Sequence, residues 1–249
     1  MMKPLEPLLL ELQGDPNTLS IVLIGSVTTG KMDTFSDLDV LVVVRAERPA
    51  VRIFYSDDRL VSVYFVDRQN RESALTDPWK AIWNVAPMRK AQILFDPDGW
   101  YKNLQKQAHA FTWAQVAAQA DRGISYVMAE HVEIVHKILS GLRSGDDEKM
   151  LKATTSLLVG ITDVAALAAG VLVQSENRFW SSVRDAQTDP IWKNLYWKAL
   201  GFHALSVSER AEAAVELYSR TALLNAERLL PEHSAVVNSV CAWIEQRST

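Results

Sequence analysis

IVLIGSVTTGKMDTFSDLDVLVVV, residues 21–44, is the most informative stretch of this sequence. Two short apolar runs, Ile21–Ile24 and Leu41–Val44, flank a polar loop. Both runs are rich in β-branched residues, so each predicts a buried strand rather than a helix. Gly25-Ser26 ends the first strand, and Asp37-Leu38-Asp39 opens the second.

Two acidic residues, Asp37 and Asp39, stand at the start of the second strand. Side chains at i and i+2 of an extended chain point to the same face, so we expect these carboxylates side by side, with Leu38 and Val40 turned into the core. Adjacent carboxylates repel each other unless a divalent cation neutralises them, and hard oxygen ligands suit Mg²⁺. Asp37 and Asp39 are therefore the predicted metal ligands and the predicted catalytic residues.

The Gly-Ser turn has the features of a phosphate site. Gly25 lets the backbone approach a ligand closely, and exposed N–H groups together with the Ser26 hydroxyl bind an anion. Lys31 in the loop adds a countercharge. Because Mg²⁺ usually completes its shell with phosphate oxygens, the stretch predicts a site for a nucleoside triphosphate and magnesium. The alternative is a solvated loop in which the two Asp residues only cap a turn.

The whole arrangement resembles a known signature. A strand, a Gly-Ser turn, about ten residues and then Asp-x-Asp in a second strand is similar to the polymerase-β-like nucleotidyltransferase superfamily. The local form, Gly25-Ser26 … Gly30 … Ser36-Asp37-Leu38-Asp39-Val40, resembles most the small-molecule branch, which includes the aminoglycoside nucleotidyltransferases.

This resemblance implies an activity and a set of site residues. We expect Mg²⁺-dependent transfer of a nucleoside monophosphate from ATP or another triphosphate to a hydroxyl of a small, aminoglycoside-like molecule. Asp37 and Asp39 would hold the metal. The nucleotide would be bound by Gly25, Ser26, Lys31 and Ser36.

The strand predicted over Leu60–Val66 departs from the family pattern. In the resembling family a third carboxylate sits in the middle of this strand, and the matching position here is Ser62. With only two carboxylates a second cation is poorly held. The alternative function is therefore a catalytically weakened nucleotide-binding or regulatory protein. Asp57, Asp58 and Asp67 would be substitutes in another register, but turn and strand-end roles are favoured for them.

Bulk composition restricts the remaining possibilities. The chain has 249 residues, 48% of them hydrophobic and 22% charged, as in a soluble globular protein. Its net charge of −4 indicates no general affinity for nucleic acid. The single cysteine, Cys241, fits a reducing compartment, and a cytoplasmic protein is expected. The apolar run Leu157–Val173 carries Asp163 near its centre, so it predicts a bundle helix rather than a membrane span. A salt bridge of Asp163 to an Arg or Lys of the bundle is favoured, and contact with a substrate amine is the alternative.

Composition changes after the tight turn at residues 96–99. From Trp100 onward Ala, Leu, Glu, Gln and Lys dominate, which is typical of a helical bundle. We therefore predict an α+β fold in which a mixed-sheet nucleotidyltransferase domain, 1–99, precedes an all-α substrate-binding domain, 100–249. One long helix is expected over Thr112–Leu142, and Glu130, Glu133 and Asp163 are candidates for a general base.

Overall fold

The computed structural model describes residues 5–30, 34–46 and 49–247. Packing divides the chain into two compact units, Met1–Gln115 with Leu172–Asn177, and Val116–Val171 with Arg178–Thr249. Packing alone does not test independent folding, so the domain boundary after residue 99 stays a prediction. By packing, the helix Trp100–Ala110 groups with the first unit.

A five-stranded mixed sheet forms the centre of the first unit. The strand order is β3-β4-β2-β1-β5; β2 and β4 run parallel, and the other neighbours are antiparallel. This confirms the predicted mixed sheet and the strands expected from the apolar runs. The bounds are β1 Thr18–Ile24, β2 Leu38–Val44, β3 Val51–Ser56, β4 Arg59–Asp67 and β5 Gln92–Phe95.

The acids around β4 serve local structure. Asp57 and Asp58 form the two-residue turn between β3 and β4, with φ angles of 48° and 59°. Two successive residues with positive φ are what a tight type I′ hairpin requires, and Asp tolerates that conformation. Asp67 accepts a hydrogen bond from the Asn70 N–H (2.7 Å) and so caps α2, Arg68–Ser73. The turn and strand-end roles favoured for these acids are confirmed.

Each face of the sheet packs on different elements. One face packs on α1, Glu6–Gly14, through an apolar cluster that includes Leu8, Leu12, Val40 and Val63. On the other face Tyr101 packs against Val22, Leu41, Val43 and Ala91. Tyr101 belongs to α4, Trp100–Ala110, which also packs with α3, Pro78–Lys90. Along β2 this second cluster begins at Leu41. Asp39, which comes two residues earlier on the same face, is only partly buried.

The second unit is helical, as predicted. Its helices are α5 Ala117–Glu130, α6 Val132–Ser144, α7 Asp147–Ala169, α8 Phe179–Ala186, α9 Pro190–Leu200, α10 Val207–Leu224 and α11 Pro231–Arg247.

The prediction of one continuous helix over Thr112–Leu142 is wrong, because α5 ends before His131 and α6 begins after it. The His131 Nδ1 lies 2.9 Å from the Val127 carbonyl oxygen, and the imidazole packs on Gly160 of α7, where a Cβ would overlap it. At the residue between α5 and α6, the side chain therefore packs on a glycine of another helix.

Helix α7 contains the most apolar part of the chain. By length and composition it would be able to cross a membrane, but 67% of its most apolar window is buried in the protein, as in the core helix of a bundle. Burial raises the pKa of its Asp163, and the charge of His131 opposes that shift. The charged group that acts on Asp163 is therefore His131, not the Arg or Lys that we expected.

Candidate active site

The end of β1 and the start of β2 place Gly25 against Asp39. Ile24 and Asp39 are paired in the antiparallel ladder, so the turn that follows Ile24 begins beside the carboxylate. Gly25 has a φ of 77°, and a Cβ built on it would overlap the Asp39 carboxylate, with Cγ only 3.3 Å away. The backbone conformation therefore favours glycine at this position, and any other residue would displace the Asp39 carboxylate.

A short 3-10 turn, Gly25–Thr29, continues from this contact. The Thr28 hydroxyl donates to the Gly25 carbonyl oxygen (2.9 Å), and Gly30 follows with a φ of 69°. Ser26 lies in this turn and is partly buried. The local geometry thus holds the Gly-Ser pair next to the acidic start of β2.

The two acidic residues predicted as metal ligands act on each other. Burial raises the pKa of Asp39 to about 6, and the negative charges of Asp37 and then Glu176 contribute to this shift. Asp37 and Asp39 are both partly buried. The carboxylates therefore form an electrostatically coupled pair, and a bound cation would relieve their repulsion.

Of the other two predicted nucleotide ligands, Ser36 and Lys31, the structure describes only Ser36. Ser36 immediately precedes Asp37 and is partly buried. Lys31 lies outside the described residues. The binding roles of Gly25, Ser26, Lys31 and Ser36 stay predictions.

Ser62 lies directly beside Asp39. The parallel ladder pairs Asp39 of β2 with Ser62 of β4, which puts both side chains on one face of the sheet. Ser62 is only 3% exposed, and its hydroxyl hydrogen-bonds the phenol of Tyr64, two residues along the same face. Burial and the nearby charge of Asp39 raise the pKa of Tyr64. A pair of hydroxyl groups therefore occupies the place where the resembling family has a carboxylate.

Sequence reasoning missed Glu176 as a neighbour of this site. The stretch Leu172–Asn177 packs with the first unit, where the Val173 N–H donates to the Ile82 carbonyl oxygen (2.8 Å) and Val173 is buried. The charge of Glu176 raises the pKa of both Asp39 and Tyr64. The polar composition of residues 174–178 after an apolar helix was the only signal in the sequence, and it does not reveal a partner about 140 residues earlier.

The acids considered as a general base have other partners. Glu133 is exposed and pairs with Lys137 one helical turn later (2.7 Å). Asp163 is partly buried and under the influence of His131. The role of Glu130, Glu133 or Asp163 as a general base stays a prediction.

The donor set fits magnesium bound to a polyphosphate. Within the described residues, no three His, Cys, Asp or Glu side chains come close enough together to hold a metal ion. Asp37 and Asp39 alone supply two carboxylates. Mg²⁺ is typically bound by one or two carboxylates, with substrate phosphates and water completing an octahedral shell.

Comparison with known proteins agrees with this geometry. Residues 5–95 match the family described as nucleotidyltransferase domain. This match covers less than half of the chain and supports the likeness of its N-terminal part to the polymerase-β-like nucleotidyltransferase superfamily. Enzymes with such a domain transfer a nucleotidyl group from a nucleoside triphosphate, so the match supports a transferase with a triphosphate as substrate.

A solved structure extends the likeness of this nucleotidyltransferase fold beyond the sheet. The nucleotidyltransferase-like protein from Exiguobacterium sibiricum aligns over 92% of this chain and 76% of its own, with a TM-score of 0.57. The aligned residues are 17% identical, so this likeness concerns the fold alone. No curated protein sequence matches the chain.

The raised pKa of Asp39 predicts how the Asp39→Asn variant changes stability with pH. A carboxyl whose pKa is higher in the folded than in the unfolded protein favours folding when protonated, so wild type loses stability as the pH rises from about 4 to above 6. Without metal, Asp39→Asn should equal wild type near pH 4 and exceed it by roughly 1–2 kcal/mol at pH 8, after allowance for solvent screening. Urea unfolding in EDTA measures this difference, and Asp98→Asn, in an exposed turn, is the control. Equal stability of Asp39→Asn and wild type at pH 8 would contradict the described environment.

Proposed function

We propose that the protein transfers a nucleoside monophosphate from ATP or another nucleoside triphosphate to a hydroxyl of a small molecule, with Mg²⁺ as cofactor. The observation that carries this proposal is the contact of the Asp39 carboxylate with Gly25, which sets an acidic pair beside a Gly-Ser turn. The nucleotidyltransferase domain match over residues 5–95 supports the reaction class.

Each residue of the site has a defined part in this proposal. Asp37 and Asp39 hold the metal, which supplies charge neutralisation and polarises the reacting phosphorus when bound. Gly25 leaves the space that the Asp39 carboxylate occupies, and this keeps the Gly-Ser turn beside the acidic pair. The acceptor oxygen forms a bond to the α-phosphorus, the bond to pyrophosphate breaks, and the hydroxyl proton leaves. Ser26, Ser36 and Lys31 bind the phosphates.

The acceptor is proposed to be a small molecule rather than a nucleic acid. A net charge of −4 offers no general attraction to a polyanion. An aminoglycoside-like molecule is the acceptor class suggested by the motif. A single cysteine is consistent with a cytoplasmic location.

Nucleotide transfer is tested by pyrophosphate release. Wild-type protein with Mg²⁺, each of the four ribonucleoside triphosphates and a panel of aminoglycosides should release pyrophosphate in an acceptor-dependent manner. Asp37→Asn should lower the rate at least about 100-fold, because the metal loses a charged ligand. Asp57→Asn, in the β3–β4 turn, should retain the wild-type rate. The proposal would be refuted if none of the triphosphates, at millimolar concentration, bound to the protein or released pyrophosphate.

Alanine variants of two glycines with similar backbone geometry distinguish an effect on the candidate site from an effect of backbone strain. Gly25→Ala and Gly30→Ala each place alanine at positive φ, so both should lose about 1 kcal/mol of stability. At Gly30 a Cβ meets no atom within 4 Å, whereas at Gly25 it displaces Asp39. Calorimetry should therefore find Mg·ATP binding weakened at least about tenfold by Gly25→Ala and nearly unchanged by Gly30→Ala. Equal losses in both variants would show that the Gly25 contact does not matter for binding.

A second candidate function follows from the residue beside Asp39. Ser62 is neutral and pairs with Asp39, and the resemblance implies a third carboxylate at this position. A site with two carboxylates still binds a metal–nucleotide complex but stabilises the attacking hydroxyl less well. Under this alternative the protein binds nucleotide and acts as a regulatory partner.

The variant Ser62→Asp distinguishes the two functions. If wild type binds Mg·ATP without turnover, and Ser62→Asp gains pyrophosphate release by tenfold or more, the binding function is favoured. The neutral, similarly sized Ser62→Asn variant is the control and should gain nothing. Strong turnover by wild type that Ser62→Asp does not improve would instead favour the enzyme.

A further inference from the structure

The face of the sheet that carries Asp39 continues across two further strands. Asp39 of β2 pairs with Ser62 of β4, and Ser62 pairs with Ile53 of β3, so these three side chains form one row on the same face. The next row on this face contains Tyr64 and Val51, which also pair directly. Since neighbouring strands lie about 4.8 Å apart, Ile53 is roughly 10 Å from Asp39 across the sheet.

This face becomes apolar and exposed where it reaches the edge strand. Val51 is 45%, Ile53 59%, Tyr55 75% and Tyr64 40% exposed. Val51, Ile53 and Tyr55 alternate along β3 and therefore share one side of it. We name these four residues the apolar edge face. Large apolar side chains exposed side by side are typical of a ligand or protein contact, whereas scattered ones are ordinary.

The side chains on the opposite side of β3 have partners of their own. Arg52 pairs with Glu11 of α1 (2.7 Å) and lies over the ring of Phe54, which packs against the cluster under α1. The exposure of apolar groups is thus confined to the side that carries Asp39. This asymmetry links the apolar edge face to the candidate site rather than to general surface composition.

The proposed reaction determines from which side the acceptor hydroxyl approaches the phosphorus. In phosphoryl and nucleotidyl transfer the attacking and leaving oxygens lie roughly in line with phosphorus. The Gly-Ser turn follows β1, on one side of β2, and would hold the leaving phosphates there. The acceptor hydroxyl then comes from the other side of β2, where Tyr64 lies over the buried Ser62 and the apolar edge face begins.

We infer that the acceptor binds on the apolar edge face and is a hydroxyl compound with an apolar or aromatic surface, such as an alkyl or aryl glycoside. This inference rests on the proposed function and adds a position and a chemical class for its second substrate. A hydroxyl held over Ser62 would face the carboxylate pair, while the apolar part of the acceptor covers Ile53, Tyr55 and Tyr64. A polycationic acceptor without an apolar surface would gain nothing from these side chains.

The test compares acceptors and variants in the full chain. Pyrophosphate release is measured with Mg·ATP and, in parallel, octyl glucoside, 4-nitrophenyl glucoside and kanamycin as acceptors. The double variant Ile53→Thr/Tyr55→Thr removes the apolar groups and keeps β-branched residues in the strand. Leu10→Ser is the matched control, because Leu10 is 72% exposed on α1, which packs on the opposite side of the sheet.

Under the inference, the two apolar glucosides react at lower concentration than kanamycin. The double variant raises their KM about tenfold or more, in the range that hydrophobic contacts contribute to specificity. Its affinity for Mg·ATP in calorimetry changes less than twofold, and Leu10→Ser behaves as wild type in both measurements.

Three results would overturn the inference. Transfer to kanamycin with no effect of the double variant places the acceptor elsewhere and leaves the proposed function intact. Binding of Mg·ATP without transfer to either glucoside refutes the acceptor class. A wild-type dimer that the double variant converts to monomer in sedimentation, with no change in KM, shows that this face joins two copies. Failure to bind Mg·ATP at all would instead refute the proposed function.

Discussion

The close approach of the Asp39 carboxylate to Gly25, into the space that a Cβ would fill, is the constraint on which the candidate site depends. A side chain of any size at residue 25 would occupy the space of the carboxylate, and the positive φ of that residue excludes most alternatives on conformational grounds as well. This contact brings an acidic pair and a backbone turn to one point at the end of two central strands. This arrangement is electrostatically unfavourable, because Asp39 is partly buried beside another acid and its pKa is raised. A bound cation would relieve the repulsion.

The register of the sheet determines which residues of the neighbouring strands lie beside Asp39. Parallel pairing of β2 with β4 puts Ser62 next to Asp39, and antiparallel pairing of β4 with β3 extends the same row to the edge. One face of these strands is covered by α1, and the other is covered by Tyr101 and its neighbours only toward the end of β2. The packing thus leaves open the part of the face that carries the acidic pair.

Several parts of this arrangement could be predicted from local sequence. The strands follow from short β-branched runs, and the Asp57-Asp58 hairpin turn from residues that tolerate positive φ. The side-by-side placement of Asp37 and Asp39 follows from strand periodicity. These features depend on neighbours within a few residues, and such neighbours are visible in the sequence.

Other parts depend on contacts between distant residues and could not be predicted. The interruption of the helix at His131, whose imidazole packs on Gly160, is not visible in the helix propensities of residues 112–142. Glu176 approaches Asp39 because Val173 bonds to Ile82, about 90 residues earlier in the chain. The exposure of Ile53 and Tyr55 depends on β3 being the edge strand with one uncovered side, and the sequence of this segment does not show which strands flank it.

The central claim is that Asp37 and Asp39 share one cation beside the Gly-Ser turn. A crystal structure of the protein with Mg²⁺ and a non-hydrolysable triphosphate tests it most directly. The account predicts a magnesium ion with oxygen atoms of both carboxylates and of the triphosphate at about 2.0–2.1 Å, and phosphates next to Gly25 and Ser26. A triphosphate bound away from Gly25, or a metal that touches neither carboxylate, would contradict it.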